Sequence, residues 1–314
     1  MIYTLTMNPA VDRTVTVSGF ELGATNRVQD VKVEGRGKGI NVSLALKEFG
    51  LESLVIAPVG GAGGTLIRDT LVKAGIKHNL YDLRDRPTRT NLKIYDARTK
   101  LTTEVNEPGP YLTDSDCQAI SSMVLNALQP GDVLVCAGSL PPGVPDDFYG
   151  TLIRFAKDKG VFCVLDSSAE PFRRGLAAGP HMIKPNKAEA EVWFDRPLNT
   201  RAALLDCLDA FVNSGVSSAI ISLGKDGAVF RRVDEKPVWA TASQCEVQST
   251  VGCGDVMLAA SLAAWAQGWS LPELARFATA AATAAAEQAG TAVPARAAVL
   301  DALERIAVET GLEE

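Results

Sequence analysis

Short, nearly uninterrupted apolar runs recur along this chain, each followed by a stretch of helix length. Residues 2–7, 53–58, 132–137, 161–166, 181–184 and 218–223 read as strands. Runs such as Val133-Leu134-Val135-Cys136-Ala137 leave no alternate polar residue for a solvated face. That pattern marks strands covered on both sides. Helix-like segments lie between them at residues 40–49, 66–74, 114–128, 146–159, 187–194 and 201–213. Strand–helix alternation of this kind predicts an α/β fold, a mostly parallel sheet with helices on both faces. The C-terminal part is alanine-rich and helical. Within it, Ser270-Leu271-Pro272-Glu273 combines a capping box with proline in the first turn. The run Gly60-Gly61-Ala62-Gly63-Gly64 reads as a loop.

Two segments break the alternation. Residues 11–34 and 88–107 carry period-two patterns, as in Thr14-Val15-Thr16-Val17 and Asn91-Leu92-Lys93-Ile94-Tyr95. These read as antiparallel strands with one solvated face, forming a small sheet that serves as a lid or an interface. No repeat or low-complexity linker separates the parts. The expected organisation is therefore one core, residues 1–10, 35–87 and 108–314, interleaved with a β-sheet lid at 11–34 and 88–107.

Net charge of −6 argues against a nucleic-acid partner, which needs a basic face. No apolar run approaches the roughly 18–20 residues of a membrane span. The opening residues carry no basic, leader-like segment. The expected location is the cytoplasm, with no membrane association. Cysteines 117, 136, 163, 207, 245 and 253 are scattered, and several sit in apolar runs, as reduced, buried thiols do. His78 and His181 are the only histidines, too few for a zinc site or a histidine-based triad.

Five segments carry chemistry. Thr250-Val251-Gly252-Cys253-Gly254-Asp255 precedes a helix-forming run at 256–266. Backbone N–H groups and the positive end of the helix dipole suit an anion there. A carboxylate in that place fits a proton acceptor, or equally an ordinary capped first turn. Gly35-Arg36-Gly37-Lys38-Gly39-Ile40-Asn41 joins a lid strand to a helix and suits a sugar or a phosphate. It is neither a Walker A loop nor G-x-G-x-x-G, so a dinucleotide site has little support. Lys184-Pro185-Asn186-Lys187-Ala188-Glu189 places an amide and a carboxylate three residues apart. That pair can hold hydrated Mg²⁺ or simply cap a helix. Ser222-Leu223-Gly224-Lys225-Asp226-Gly227 reads as a hairpin turn, or as a cradle for a nucleotide. Gly138-Ser139-Leu140-Pro141 ends a strand, where α/β proteins bind ligands.

Together with Asn8-Pro9-Ala10-Val11-Asp12, these segments resemble, in order, the landmarks of the PfkB/ribokinase-like carbohydrate kinases. The resemblance spans essentially the whole chain. It points to the branch of the 1-phosphofructokinases and tagatose-6-phosphate kinases through Thr88-Arg89-Thr90-Asn91-Leu92-Lys93 and Asp166-Ser167-Ser168. It implies a three-layer α/β/α core with a β-sheet lid. It also implies transfer of a phosphoryl group from ATP, with Mg²⁺, to the free primary hydroxyl of a phosphorylated ketohexose. Fructose 1-phosphate is the first expectation; tagatose 6-phosphate and fructose 6-phosphate stay open.

By resemblance, Asp255 is the base, and Gly252, Cys253 and Gly254 form the anion hole. Asn186 and Glu189 organise Mg²⁺, with Lys184 near the nucleotide phosphates. Ser222, Gly224 and Gly227 border ATP. Asp12, Gly37, Lys38, Asn41 and Ser139 hold the sugar, and Arg27, Lys38 and Arg89 its phosphate. The lid implies a homodimer contact. Arg36, Cys253, Val256, Ala259 and Ala260 depart from the family pattern. Arg36 stands where a small residue is usual, adding a phosphate contact or crowding the sugar. Cys253 replaces a common alanine and is expected to be oxidation-sensitive if it ionises. A non-catalytic sugar- or nucleotide-binding relative would lack Asp255, Asn186 or Glu189; all three are present.

Overall fold

The computed structural model describes residues 1–242, 245–288 and 290–311. A ten-stranded sheet forms the middle layer. Its spatial order is Ile306–Thr310, Val238–Ala242, Ala228–Arg232, Ser218–Ser222, Met182–Ile183, Phe162–Asp166, Val133–Ala137, Ile2–Leu5, Ser53–Val59 and Lys77–Asp82. From Ser218–Ser222 to Lys77–Asp82 all neighbours are parallel. The three strands beyond are antiparallel. Residues 222–228 are indeed a hairpin turn.

Two apolar cores flank the sheet, and strand alternation assigns residues to each. Val133, Val135 and Ala137 face helices Lys38–Glu48, Cys253–Ala266, Leu271–Ala286 and Arg296–Leu303. Leu134 and Cys136 face Asp114–Ala127, Phe148–Asp158 and Arg201–Asn213. Three layers follow from strands that are apolar at every position. The many alanines of Cys253–Ala266 and Leu271–Ala286 let those helices pack closely on each other and on Lys38–Glu48.

The glycine run at 60–64 is not a loop. Residues 61–64 form the first turn of helix Gly61–Lys73. A Cβ on Gly64 would stand 3.1 Å from Val59, and one on Gly63 would stand 3.0 Å from Thr88 and 3.1 Å from Val11. These glycines let the helix start press against its neighbours, so packing overrides their weak helix propensity.

A second, four-stranded sheet has the order Asp30–Arg36, Ala10–Val17, Arg89–Asp96 and Leu101–Asn106. Asp12 pairs with Glu34 on one side and Asn91 on the other; Asn91 pairs with Asn106, and Lys93 with Glu104. Alternation therefore puts Asp12, Asn91, Lys93, Glu104 and Asn106 on one face, which turns toward the large sheet's cleft. Val31, Val33, Leu101 and Val105 are exposed on the opposite face.

The glycines of the 35–39 segment also have packing reasons. An added Cβ would fall 2.7 Å from the Ile67 backbone at Gly35, 2.7 Å from Thr6 Cγ2 at Gly37 and 2.5 Å from Thr6 Oγ1 at Gly39. Close approach to Thr6 docks the helix start against the end of strand Ile2–Leu5, and so aims Lys38 and Asn41 into the cleft.

Candidate active site

A cleft of about 910 Å³ opens between the two sheets, at the C-terminal ends of the parallel strands. That is where open α/β sheets take ligands. Asn8, Ser139, Lys184 and Ser222 line it from just beyond, or at the end of, four of those strands.

Asp255 lies in the first turn of helix Cys253–Ala266 and is 5% exposed. Gly252 precedes it with φ 82°, a left-handed conformation open to glycine at little strain. That turn opens the helix with N–H groups that no carbonyl of the helix can reach. Gly254 admits Lys184, whose Nζ would stand 3.0 Å from a Cβ there. Asn41 Nδ2 donates to Asp255 Oδ2 at 2.8 Å. Burial pushes the Asp255 carboxyl up to about 6. The Asp166 charge adds to the rise, and the Lys38 and Lys184 charges and the Asn41 bond oppose it. A buried carboxylate tuned toward neutrality can take a proton.

Beside Asp255 runs an ionic chain centred on a buried carboxylate. Asp166, fully buried, lies 2.9 Å from Lys38 Nζ and 3.3 Å from Lys184 Nζ. Burial opposes its ionisation, but the two ammonium groups hold its carboxyl below the usual range. Lys38 is in turn held above the usual lysine value: burial works against its charge, and Asp166, Asp255 and Glu189 outweigh that. Lys38 thus stays a cation beside buried Asp166, where the local dielectric is low and anion binding is strong.

The small sheet forms the opposite wall. Asp12 accepts from Lys93 Nζ at 2.5 Å and Asn91 Nδ2 at 3.1 Å. Arg89 donates to the carbonyls of Glu107 at 2.8 Å and Asn8 at 3.1 Å. Asn8 Nδ2 donates to Ser139 Oγ at 3.2 Å. The carboxamide oxygens of Asn8, Asn41 and Asn91 are buried and have no partner among the described residues. Three orphaned acceptors in one cleft call for a ligand rich in O–H donors.

At the far end Ser222, Gly224 and Gly227 border the cleft, and Ala242, Val247, Ala282 and Ala286 make a smooth apolar wall. Gly227 is required there: at φ 87° its Cβ would collide with Ala240 O at 2.0 Å. Asn186 and Glu189 form a capping box on helix Lys187–Phe194. Asn186 Oδ1 accepts from the Glu189 N–H at 2.9 Å, and Glu189 Oε2 accepts from the Asn186 N–H at 2.8 Å. Capping does not preclude a metal role, because both residues also line the cleft. No cluster of three metal-binding side chains exists among the described residues. Mg²⁺ keeps much of its water and needs few protein oxygens, so an amide and a carboxylate beside bound phosphates fit it.

Every candidate residue from the sequence lines this cleft except Arg27. Arg27 lies on an exposed segment beyond strand Ala10–Val17, where its charge stays in solvent. Arg36 does not line the cleft. It is 8% exposed and bonded to Glu34 at 2.5 Å. Cys253 is not an ionised thiol: burial, with the Asp255 charge nearby, pushes it up to about 12. Asn91 and Lys93 were missed as site residues. Period two gives them away, since strand residues two and four beyond Arg89 share its face.

The pfkB family carbohydrate kinase model matches residues 5–298 of the chain. The chain belongs to the pfkB family of carbohydrate kinases. Among curated relatives, a 1-phosphofructokinase from Xanthomonas campestris pv. campestris is 33% identical, covering 88% of each chain. A D-tagatose-1-phosphate kinase from Bacillus licheniformis is 32% identical, over 90% of this chain and 91% of its own. Among solved structures, phosphofructokinase-2 from Escherichia coli, in complex with substrates and products, superposes with TM-score 0.91 at 29% identity. It covers 96% of this chain and 98% of its own. This pfkB kinase has the three-layer α/β architecture with a small second sheet that its sequence implies.

Proposed function

We propose that this pfkB kinase transfers the γ-phosphoryl group of ATP to the free primary hydroxyl of a ketohexose phosphate, fructose 1-phosphate first, to give fructose 1,6-bisphosphate. The observation that carries the reading is Asp255: a buried carboxylate raised to about 6, at a helix start, beside the ammonium groups of buried Lys184 and half-buried Lys38. In this reading Asp255 accepts the hydroxyl proton as that oxygen forms a bond to the γ-phosphorus. The bond from the γ-phosphorus to the bridging oxygen breaks, and ADP leaves with the electron pair. The N–H groups of Gly252, Cys253 and Gly254, with Lys184, face the charge on the transferring group. Asp12, Asn41 and Ser139 orient the sugar, with Gly37 leaving room for it. The orphaned oxygens of Asn8, Asn41 and Asn91 accept from its hydroxyls. Lys38 faces both the sugar and Asp166.

Arg89 meets the phosphate already on the sugar, because its guanidinium has only carbonyl partners. Of the three candidates for that phosphate, Arg27 lies outside the cleft, and Lys38 and Arg89 line it. Ser222, Gly224 and Gly227 border ATP, with the base against the alanine wall. Bound Mg²⁺ would neutralise the nucleotide phosphates, held through water by Asn186 and Glu189.

Tagatose phosphates are the second reading, supported by the 32% identity to a D-tagatose-1-phosphate kinase. The small sheet acts as a lid, and its exposed Val31, Val33, Leu101 and Val105 support a homodimer through the outer face. Six free cysteines support a reducing compartment such as the cytoplasm. No helix among the described residues is long and apolar enough to cross a membrane. The test is ADP release from ATP and Mg²⁺ with fructose 1-phosphate, tagatose 6-phosphate and fructose 6-phosphate in parallel. A preference for fructose 1-phosphate supports the first reading. Turnover of none of them defeats it.

A further inference from the structure

We infer that Lys93 is the positioning residue of the sugar subsite: it holds the Asp12 carboxylate aimed into the cleft. The inference rests on the reading that this cleft takes a ketohexose phosphate.

Strand Arg89–Asp96 presents Arg89, Asn91 and Lys93 in alternation, and all three line the cleft. Asp12, on the adjacent parallel strand, is opposite Asn91 and takes hydrogen bonds from both Asn91 and Lys93. One carboxylate oxygen accepts from each: Oδ1 from the amide and Oδ2 from the ammonium. The carboxylate is thereby fixed about its own axis by two donors on one rigid strand. Its remaining lone pairs are left for a ligand.

Stability alone does not explain this pair. The side chains of Lys93 and Asp12 are 5% and 9% exposed, so both charges have lost most of their water. A buried ion pair is commonly no more stable than apolar residues of the same volume. The next residues of that strand, Leu92 and Ile94, point away and are already apolar. A sheet that needed only a packed inner face had aliphatic side chains available. Instead this face carries a matched charge pair and a carboxamide whose oxygen has no partner. Of the three N–H donors on the Lys93 ammonium, Asp12 takes one, and no other acceptor is found among the described residues. The group is incomplete by itself. Hydroxyls that donate to Asp12 and Asn91 Oδ1, and accept from Lys93, complete it.

Because Asp12 neutralises it, Lys93 does not serve as a free cation for the sugar's phosphate. Its effect is on orientation, so its loss weakens sugar binding while leaving the nucleotide end and the Asp255 end unchanged. The experiment compares Lys93→Met, Asp12→Asn and the double variant Asp12→Asn/Lys93→Met by steady-state kinetics and thermal melting. Direct titration of each with fructose 1-phosphate, tagatose 6-phosphate and fructose 6-phosphate accompanies it.

Lys93→Met is expected to raise KM for the preferred sugar phosphate by about 10–100-fold, the worth of a hydrogen bond to a charged group. KM for ATP should stay within about twofold, and kcat should fall far less than kcat/KM, the mark of lost ground-state positioning. Lys93→Met should also melt earlier, because it leaves the Asp12 charge buried and unpaired. The double variant removes both charges and should recover the melting temperature without recovering sugar affinity. Recovery of sugar affinity together with stability would make the pair purely structural and overturn the inference, as would unchanged KM in Lys93→Met. A wild-type protein that binds none of the three sugars overturns the acceptor reading and this inference with it. Normal wild-type turnover with unchanged variants overturns this inference alone.

Discussion

Replacing Asp255 by asparagine should stop turnover and, at neutral pH, make the protein more stable. The folded-state carboxyl sits at about 6, against 3.8 for the unperturbed group, because burial disfavours its charge. Between pH 3.8 and about 6 the folded protein therefore binds more protons than the unfolded chain. Stability contributed by this site is fully present below 3.8, declines as pH rises through that window, and is lost above about 6. Two units correspond to about 3 kcal/mol of burial penalty carried by ionised Asp255 at pH 7.5. Asparagine has no charge to bury, but it alters the bond to Asn41 and leaves Lys38 with only Asp166 and Glu189 as nearby carboxylates. The net gain is then about 1–3 kcal/mol after a lost or reoriented hydrogen bond is charged against it.

Loss of the proposed base, Asp255, should lower kcat by about 10²–10⁴-fold. The assay is urea unfolding of wild type and Asp255→Asn at pH 4, 5, 6 and 7.5, with kcat measured beside it. The stability difference should favour the variant at pH 7.5 and shrink toward pH 4. A variant less stable at pH 7.5, or a difference independent of pH, would refute the claim that Asp255 is held ionised against burial.

Other substitutions test the neighbours. Gly254→Ala puts a Cβ 3.0 Å from Lys184 Nζ and displaces that ammonium. It should cut kcat by about tenfold or more with unchanged far-UV circular dichroism. Cys253→Ala should keep kcat within about twofold, since the backbone N–H supplies the contact. The wild-type thiol, raised to about 12, should resist iodoacetamide at pH 7.5. Glu189→Gln preserves an acceptor for the helix cap but removes a charge. It should raise the Mg²⁺ concentration for half-maximal activity by about tenfold, read from a Mg²⁺ titration at fixed ATP.

The parallel core was legible in the sequence because strands such as Val133–Ala137 are apolar on both faces, a pattern that no half-solvated sheet needs. The edge strand Lys77–Asp82 was not, since its alternating exposure and polar composition resemble a turn. Strands Ala228–Arg232, Val238–Ala242 and Ile306–Thr310 lie in an antiparallel extension that the βα rhythm does not foretell. The helix turn at Gly61–Gly64 was hidden because glycine signals a loop locally, while the close contact with Val59 is tertiary. At the site, the glycines and Asp255 stood out from their spacing. The pairing of Asp12 with Lys93 depends on strand register, which no local pattern specifies. The pairing of Lys38 and Lys184 through Asp166 joins three separate elements, so it appears only once the sheet is assembled.

The most direct measurement is ³¹P NMR of the reaction of ATP, Mg²⁺ and fructose 1-phosphate with wild type and Asp255→Asn. Wild type should convert the sugar resonance to the two resonances of fructose 1,6-bisphosphate as ADP appears in equal amount, and the variant should leave the spectrum nearly unchanged. Bisphosphate formed by both proteins at similar rates would contradict Asp255 as the base. ATP consumed without a second sugar phosphate would contradict phosphoryl transfer to the sugar.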